Sequence, residues 1–91
     1  MSYRRGADFE RKVRSMLESK GYLVIRSAGS KTPVDLVALK KGETPVLIQC
    51  KISGRITDIE VRELKIEAEK AGAKPALAYK AENGKIQIKE L

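Results

Sequence analysis

Apolar residues at Phe9, Val13, Met16 and Leu17 recur at three- and four-residue intervals, the period of a helix packed by one face. They predict a helix over about Tyr3 to Ser19, with Gly21 placed where a C-terminal cap belongs. The pattern then shortens. "YLVIRS" and "VDLVALKK" read as strands separated by the loop "AGSKTP". After the turn "GETP", "VLIQCKI" is a third strand. "SGRI" leads into "TDIEVRELKIEAEKAG", where Thr57 and Glu60 form a capping-box pattern. Val61, Leu64, Ala68 and Ala71 share a helical face there, and Gly72 closes the helix. "PALAYKA" is a fourth strand. "ENGKIQIKEL" carries the hairpin signal Asn83-Gly84 and then alternating Ile86 and Ile88.

The order α-β-β-β-α-β-β predicts an α/β fold, a mixed five-stranded sheet flanked by helices. The first three strands form a meander, and the second helix carries the chain into a parallel fourth strand. A length of 91 residues fits one domain, 1–91, with a core small enough that a partner subunit would help it. No apolar run approaches the roughly 18 residues of a membrane span, and no signal core follows the N-terminal charges. The expectation is a soluble cytoplasmic protein with no membrane partner.

Charge changes the picture more than length does. Lys and Arg number 19 against 12 Asp and Glu, a net charge of +7. That excess suits an anionic partner, nucleic acid first, although a charged surface of a heat-adapted protein also fits. There is no histidine and only Cys50. Those absences exclude Ser-His and Cys-His nucleophilic chemistry, any His-ligated metal and an internal disulfide.

The third strand breaks its apolar pattern at its end, with Gln49 and Lys51. Alternation puts Leu47, Gln49 and Lys51 on one face, and Ile48, Cys50 and Ile52 on the other, so Cys50 belongs to the core. If the second and third strands pair through "KKGET", Asp35 arrives beside Gln49 and Lys51. An acid, an amide oxygen and a lysine then meet at one sheet edge. Asp35 and Gln49 are hard oxygen donors suited to Mg²⁺, and Lys51 could offset charge on a phosphoryl transition state. The set reads as metal-assisted phosphodiester hydrolysis. The same spacing also fits a plain Asp–Lys pair holding the hairpin register, the commoner arrangement. Glu10 could reach this edge as a further ligand, or simply pair with Arg14 four residues on.

The chain resembles the archaeal Holliday junction resolvases, within the PD-(D/E)xK nuclease superfamily. The resemblance runs through "RRGADFER", "GYLVIRSAGSK", "VDLVAL", "VLIQCK" and "AGAKPALAYK", from Arg4 to Lys80. It implies a restriction-endonuclease-like fold and a Mg²⁺-dependent site, with Mn²⁺ as a substitute. The implied ligands are Glu10, Asp35 and Gln49. Lys51 and the loop residue Ser30 complete the catalytic set, and Arg4, Arg5, Arg11, Arg26 and Lys31 are the implied DNA contacts. The implied partner is a four-way DNA junction, cut by a homodimer without a small-molecule cofactor. Two features depart from the family. Gln49 stands where the family usually has Glu, which removes an anionic donor, so a glutamate there is expected to tighten Mg²⁺ binding. The chain also stops soon after its last strand, where many relatives run on. Mrr-like nucleases use Q-x-K, so an Mrr-like restriction or repair endonuclease is the alternative. A catalytically weak, structure-specific DNA-binding protein is a third reading.

Overall fold

The computed structural model describes residues 2–28 and 32–91, and the side chains from Gly6 onward within those ranges. The elements are α1 (Ser2–Ser19), β1 (Leu23–Arg26), β2 (Leu36–Leu39), β3 (Val46–Cys50), α2 (Asp58–Ala71), β4 (Lys74–Lys80) and β5 (Ile86–Glu90). They form the α/β fold expected, a mixed five-stranded sheet in the order β1-β2-β3-β4-β5. β1 pairs antiparallel with β2, and β2 antiparallel with β3. The α2 crossover makes β3 and β4 parallel, and β5 returns antiparallel.

Strand alternation divides the core between the two sheet faces. On one face Val24, Leu36, Ala38, Ile48, Ala76 and Ala78 meet Phe9, Val13 and Leu17 of α1. On the other, Leu47 meets Leu64 and Ala68 of α2, with Val37 packed alongside. Ala71, predicted on the buried stripe of α2, is exposed, because it lies at the helix end beyond the sheet contact. Both helices close by the same device. Tyr22 N–H returns to Leu17 O, and Ala73 N–H to Ala68 O, around Gly21 and Gly72, whose φ values are 94° and 62°.

β2 and β3 are shorter than the hydrophobic pattern suggests. Asp35 lies one residue before β2, and Lys51 one residue after β3. Pairing nevertheless continues past the strand ends, since Lys51 N–H donates to Ala78 O at 2.9 Å. The chain then turns at Gly54, whose φ is 78° and whose N–H donates to Lys51 O at 2.8 Å. A side chain at Gly54 would meet the Tyr79 ring. This turn directs the chain from β3 into the start of α2, a step that decides the site.

Candidate active site

Asp35 is fastened to β3 at two points. Its N–H donates to Ile48 O at 2.8 Å, and its Oδ2 accepts the Cys50 N–H at 2.7 Å. The first contact extends the β2–β3 register, in which Leu36 faces Ile48. The second fixes the carboxylate against the end of β3. Burial pushes the Asp35 carboxyl above its ordinary value. The Cys50 N–H opposes that shift, the Glu10 charge adds to it, and Lys51 and Arg26 pull it back. Glu10, Arg26 and Lys51 therefore share one electrostatic neighbourhood with Asp35.

Glu10 gets there from α1. Its Oε1 accepts from Arg26 Nε at 3.0 Å, which ties the helix to the end of β1. This corrects the helix pairing offered by sequence spacing: Arg14 instead pairs with Glu18, at 3.2 Å. Arg26 is opposite Leu36 in the β1–β2 register, one residue from Asp35, so tertiary placement outweighs the local partner.

On the other face of β3, Gln49 and Lys51 converge on a residue that sequence reasoning took only for a helix cap. Gln49 Nε2 donates to Glu60 Oε2 at 3.2 Å, and Lys51 Nζ lies 2.8 Å from the same oxygen. The remaining oxygen, Oε1, accepts the Thr57 N–H at 3.0 Å, while Thr57 Oγ1 accepts the Glu60 N–H at 3.1 Å. The capping box thus holds a carboxylate that also serves the strand edge. Lys51 first, then the Thr57 N–H, lower the Glu60 carboxyl from 4.5 to about 2. Gln49 is only 9% exposed, and its Oε1 is buried without a hydrogen-bond partner. The signal for Glu60 was present in the sequence: the third position of a helix that starts soon after Lys51 points its carboxylate back along the chain.

The other candidate residues separate into two groups. Arg11 is exposed on α1 and paired with Asp8 at 2.9 Å. Ser30 and Lys31 lie outside the described residues, as do the side chains of Arg4 and Arg5. Cys50 packs against the α1-side core, and burial, followed by the Asp35 and Glu10 charges, pushes its thiol pKa up. Such a thiol is a packing group rather than a nucleophile. Among the described residues, no three His, Cys, Asp or Glu side chains cluster as a metal site. A cation held here would draw on donors beyond carboxylates, such as the Gln49 amide oxygen, backbone carbonyls and water. Also among the described residues, no helix is long and apolar enough to cross a membrane.

Comparisons with known proteins bear on the family and the fold. A family model described as the archaeal Holliday junction resolvase matches residues 1–91. The chain is 44% identical over 82 residues to the crossover junction endodeoxyribonuclease Hjc of Methanocaldococcus jannaschii. That match covers 86% of this chain and 60% of the relative, so the chain spans less than two thirds of that protein's length. Among solved structures, that of Archaeoglobus fulgidus Hjc, described as a Holliday junction resolvase from an archaeal hyperthermophile, superposes with a TM-score of 0.79 at 29% identity. The superposition covers 94% of this chain and 72% of that one. The restriction-endonuclease-like fold expected from the sequence stands.

Proposed function

We propose that this chain, which belongs to the archaeal Holliday junction resolvase family, is a Mg²⁺-dependent endonuclease that resolves four-way DNA junctions by phosphodiester hydrolysis. The observation that carries the reading is the Asp35 carboxylate clamped at the end of β3 by the Cys50 N–H, on the strand where Gln49 Oε1 is buried without a partner. A buried carbonyl oxygen without a donor is unfavourable unless something completes it, and a hard cation does so. Asp35 and Gln49 would serve as ligands, with Glu10, whose charge acts on Asp35, holding the ion or its water. Bound Mg²⁺ would polarise the phosphodiester and acidify a water; Mn²⁺ would serve in its place.

The protein's own groups supply the rest. Lys51 places an ammonium at the same edge, where it offsets the negative charge that grows on the phosphoryl group. The net charge of +7 draws the junction in, and Arg11, Arg26, Lys31, Arg4 and Arg5 are the proposed phosphate contacts. Recognition is then by shape and backbone, since aromatics make up only 4% of the chain and offer little base stacking.

Two symmetric cuts at a junction call for a twofold dimer, and each chain brings one site. The outer face of α2 supports that assembly, since it leaves Ile59 and Ile66 exposed, at 67% and 50%.

The test is a cleavage assay on a four-way junction, a duplex and a single strand, with and without Mg²⁺. Metal-dependent paired cuts in the junction alone support the reading. Equal cutting of plain duplex moves the protein toward restriction or repair chemistry, and no cutting of any substrate overturns it.

A further inference from the structure

The nuclease reading leaves one arrangement unexplained. Position 49 carries an amide at the end of β3, and that amide is in contact with an acid of α2. Gln49 Nε2 is 3.2 Å from Glu60 Oε2. A carboxylate only accepts hydrogen bonds, so it can be met by the –NH₂ end of the amide but not by its oxygen. The contact therefore fixes which way Gln49 is turned. Its carbonyl oxygen is directed away from Glu60, buried and without a partner. Glu60 itself cannot swing away without breaking the cap, because its other oxygen holds the Thr57 N–H at 3.0 Å. The same Oε2 also takes the Lys51 ammonium at 2.8 Å.

We propose that Glu60 is a positioning residue of the site, turning the Gln49 carbonyl oxygen toward the metal and holding Lys51 beside it. The carboxylate that meets both the Gln49 amide and the Lys51 ammonium sits on α2. The inference rests on the nuclease reading above. It also reverses the simple expectation for Gln49→Glu. A glutamate at 49 would bring two carboxylates to a contact now made by an amide and an acid, with Lys51 left to serve both. Like charges at that distance force one to take a proton or move apart. An anionic donor at 49 therefore helps the metal only after position 60 has given up its charge. In the double variant Gln49→Glu with Glu60→Gln, donor and acceptor trade places. The new amide at position 60 then donates to the new carboxylate at position 49, whose second oxygen takes the place of Gln49 Oε1.

The exchange can be separated from the helix cap. Glutamine is as acceptable as glutamate at the third position of a capping box, so Glu60→Gln keeps the Thr57 contact and the fold. The experiment is a cycle of wild type, Gln49→Glu, Glu60→Gln and the double variant. Mn²⁺ binding is measured by calorimetry without DNA, and junction cleavage is measured separately. Asp35→Asn and Thr57→Ala serve as controls. Each single exchange is expected to weaken Mn²⁺ binding and slow cleavage by roughly tenfold, and the double variant to recover most of both. Thr57→Ala is expected to lower the melting temperature while leaving Mn²⁺ affinity in place. Multiplying rather than compensating effects in the double variant overturn the proposal, provided Asp35→Asn abolishes Mn²⁺ uptake and cutting. A single Gln49→Glu that binds Mn²⁺ more tightly than wild type overturns it as well. A wild-type protein that neither binds Mn²⁺ nor cuts a junction overturns the nuclease reading, and the positioning role with it.

Discussion

Lys51 Nζ lies 2.8 Å from Glu60 Oε2, so the lysine at the end of β3 is held by the first turn of α2. The pair joins the sheet to the helix at the site edge. With the Glu60 carboxyl lowered to about 2, folding favours its ionised form. The resulting stability is fully present above the ordinary value of 4.5 and is lost as the pH falls through about 2. Lys51 is 34% and Glu60 27% exposed, so solvent screens the pair and its worth is below about 1 kcal/mol. Wild type should melt slightly above Glu60→Gln at pH 7, and the gap should close on acidification toward pH 2. Melting curves across that range measure it. A gap that widens in acid would contradict the pairing.

Asp35 behaves in the opposite sense. Burial raises its carboxyl above the ordinary 3.8, so the ionised form weighs against folding at neutral pH. Asparagine keeps an oxygen for the Cys50 N–H and removes the charge. Asp35→Asn should therefore abolish cleavage, leave junction binding largely intact, and raise the melting temperature at pH 7. The gain should vanish below the ordinary carboxylate value, where wild-type Asp35 is protonated as well. Denaturation of both proteins without divalent ions checks this, with junction binding followed separately in Ca²⁺. Wild-type cutting by the variant would remove Asp35 from the site.

Junction binding should fall steeply with salt, because each neutralised phosphate releases counterions. Arg11 is exposed on α1 and its pairing with Asp8 is a surface contact, so it remains open to phosphate. Arg11→Ala should lower the slope of log affinity against log salt by about one and weaken all DNA substrates alike. Fluorescence anisotropy across a salt titration reads both effects. A slope that does not change would place Arg11 off the DNA path.

The framework of the molecule was legible because it rests on local period and local caps. Phe9, Val13, Met16 and Leu17 mark the buried face of α1, while Thr57 and Gly72 mark the ends of α2. Strand alternation and a hairpin were enough to bring Asp35 to the end of β3, where its Oδ2 takes the Cys50 N–H. What stayed hidden depends on the path of the chain. The Glu60 contact with Gln49 spans 11 positions and exists because the Gly54 turn lays α2 back over β3. Glu10 had an obvious helical partner in Arg14, yet the packing of α1 on the sheet brought it to Arg26. Leu23 and Ile25 of β1 stay 63% and 50% exposed, because α2 reaches only β3 and β4 among the strands it contacts substantially.

The last prediction concerns the outer face of α2. Ile59 and Ile66 are seven residues apart, close to two helical turns, so they share one side of the helix. Leu64 and Ala68 occupy the opposite side, against the sheet. Neither isoleucine belongs to a core cluster, and burying their exposed surface against a second copy would contribute on the order of 1–2 kcal/mol each. An aspartate at either position would have to be desolvated in such an interface, yet would stand in water on the monomer. Ile59→Asp combined with Ile66→Asp should therefore leave the fold and Mn²⁺ binding intact and convert a twofold dimer to a monomer. Light scattering at low micromolar concentration reads the mass, and the same variant should nick one strand of a junction rather than make paired cuts. If the double variant keeps the wild-type mass, the dimer is built on another surface. If the wild type is itself a monomer both free and on DNA, no dimer exists to disrupt, and the paired cuts would have to come from successive visits of single chains.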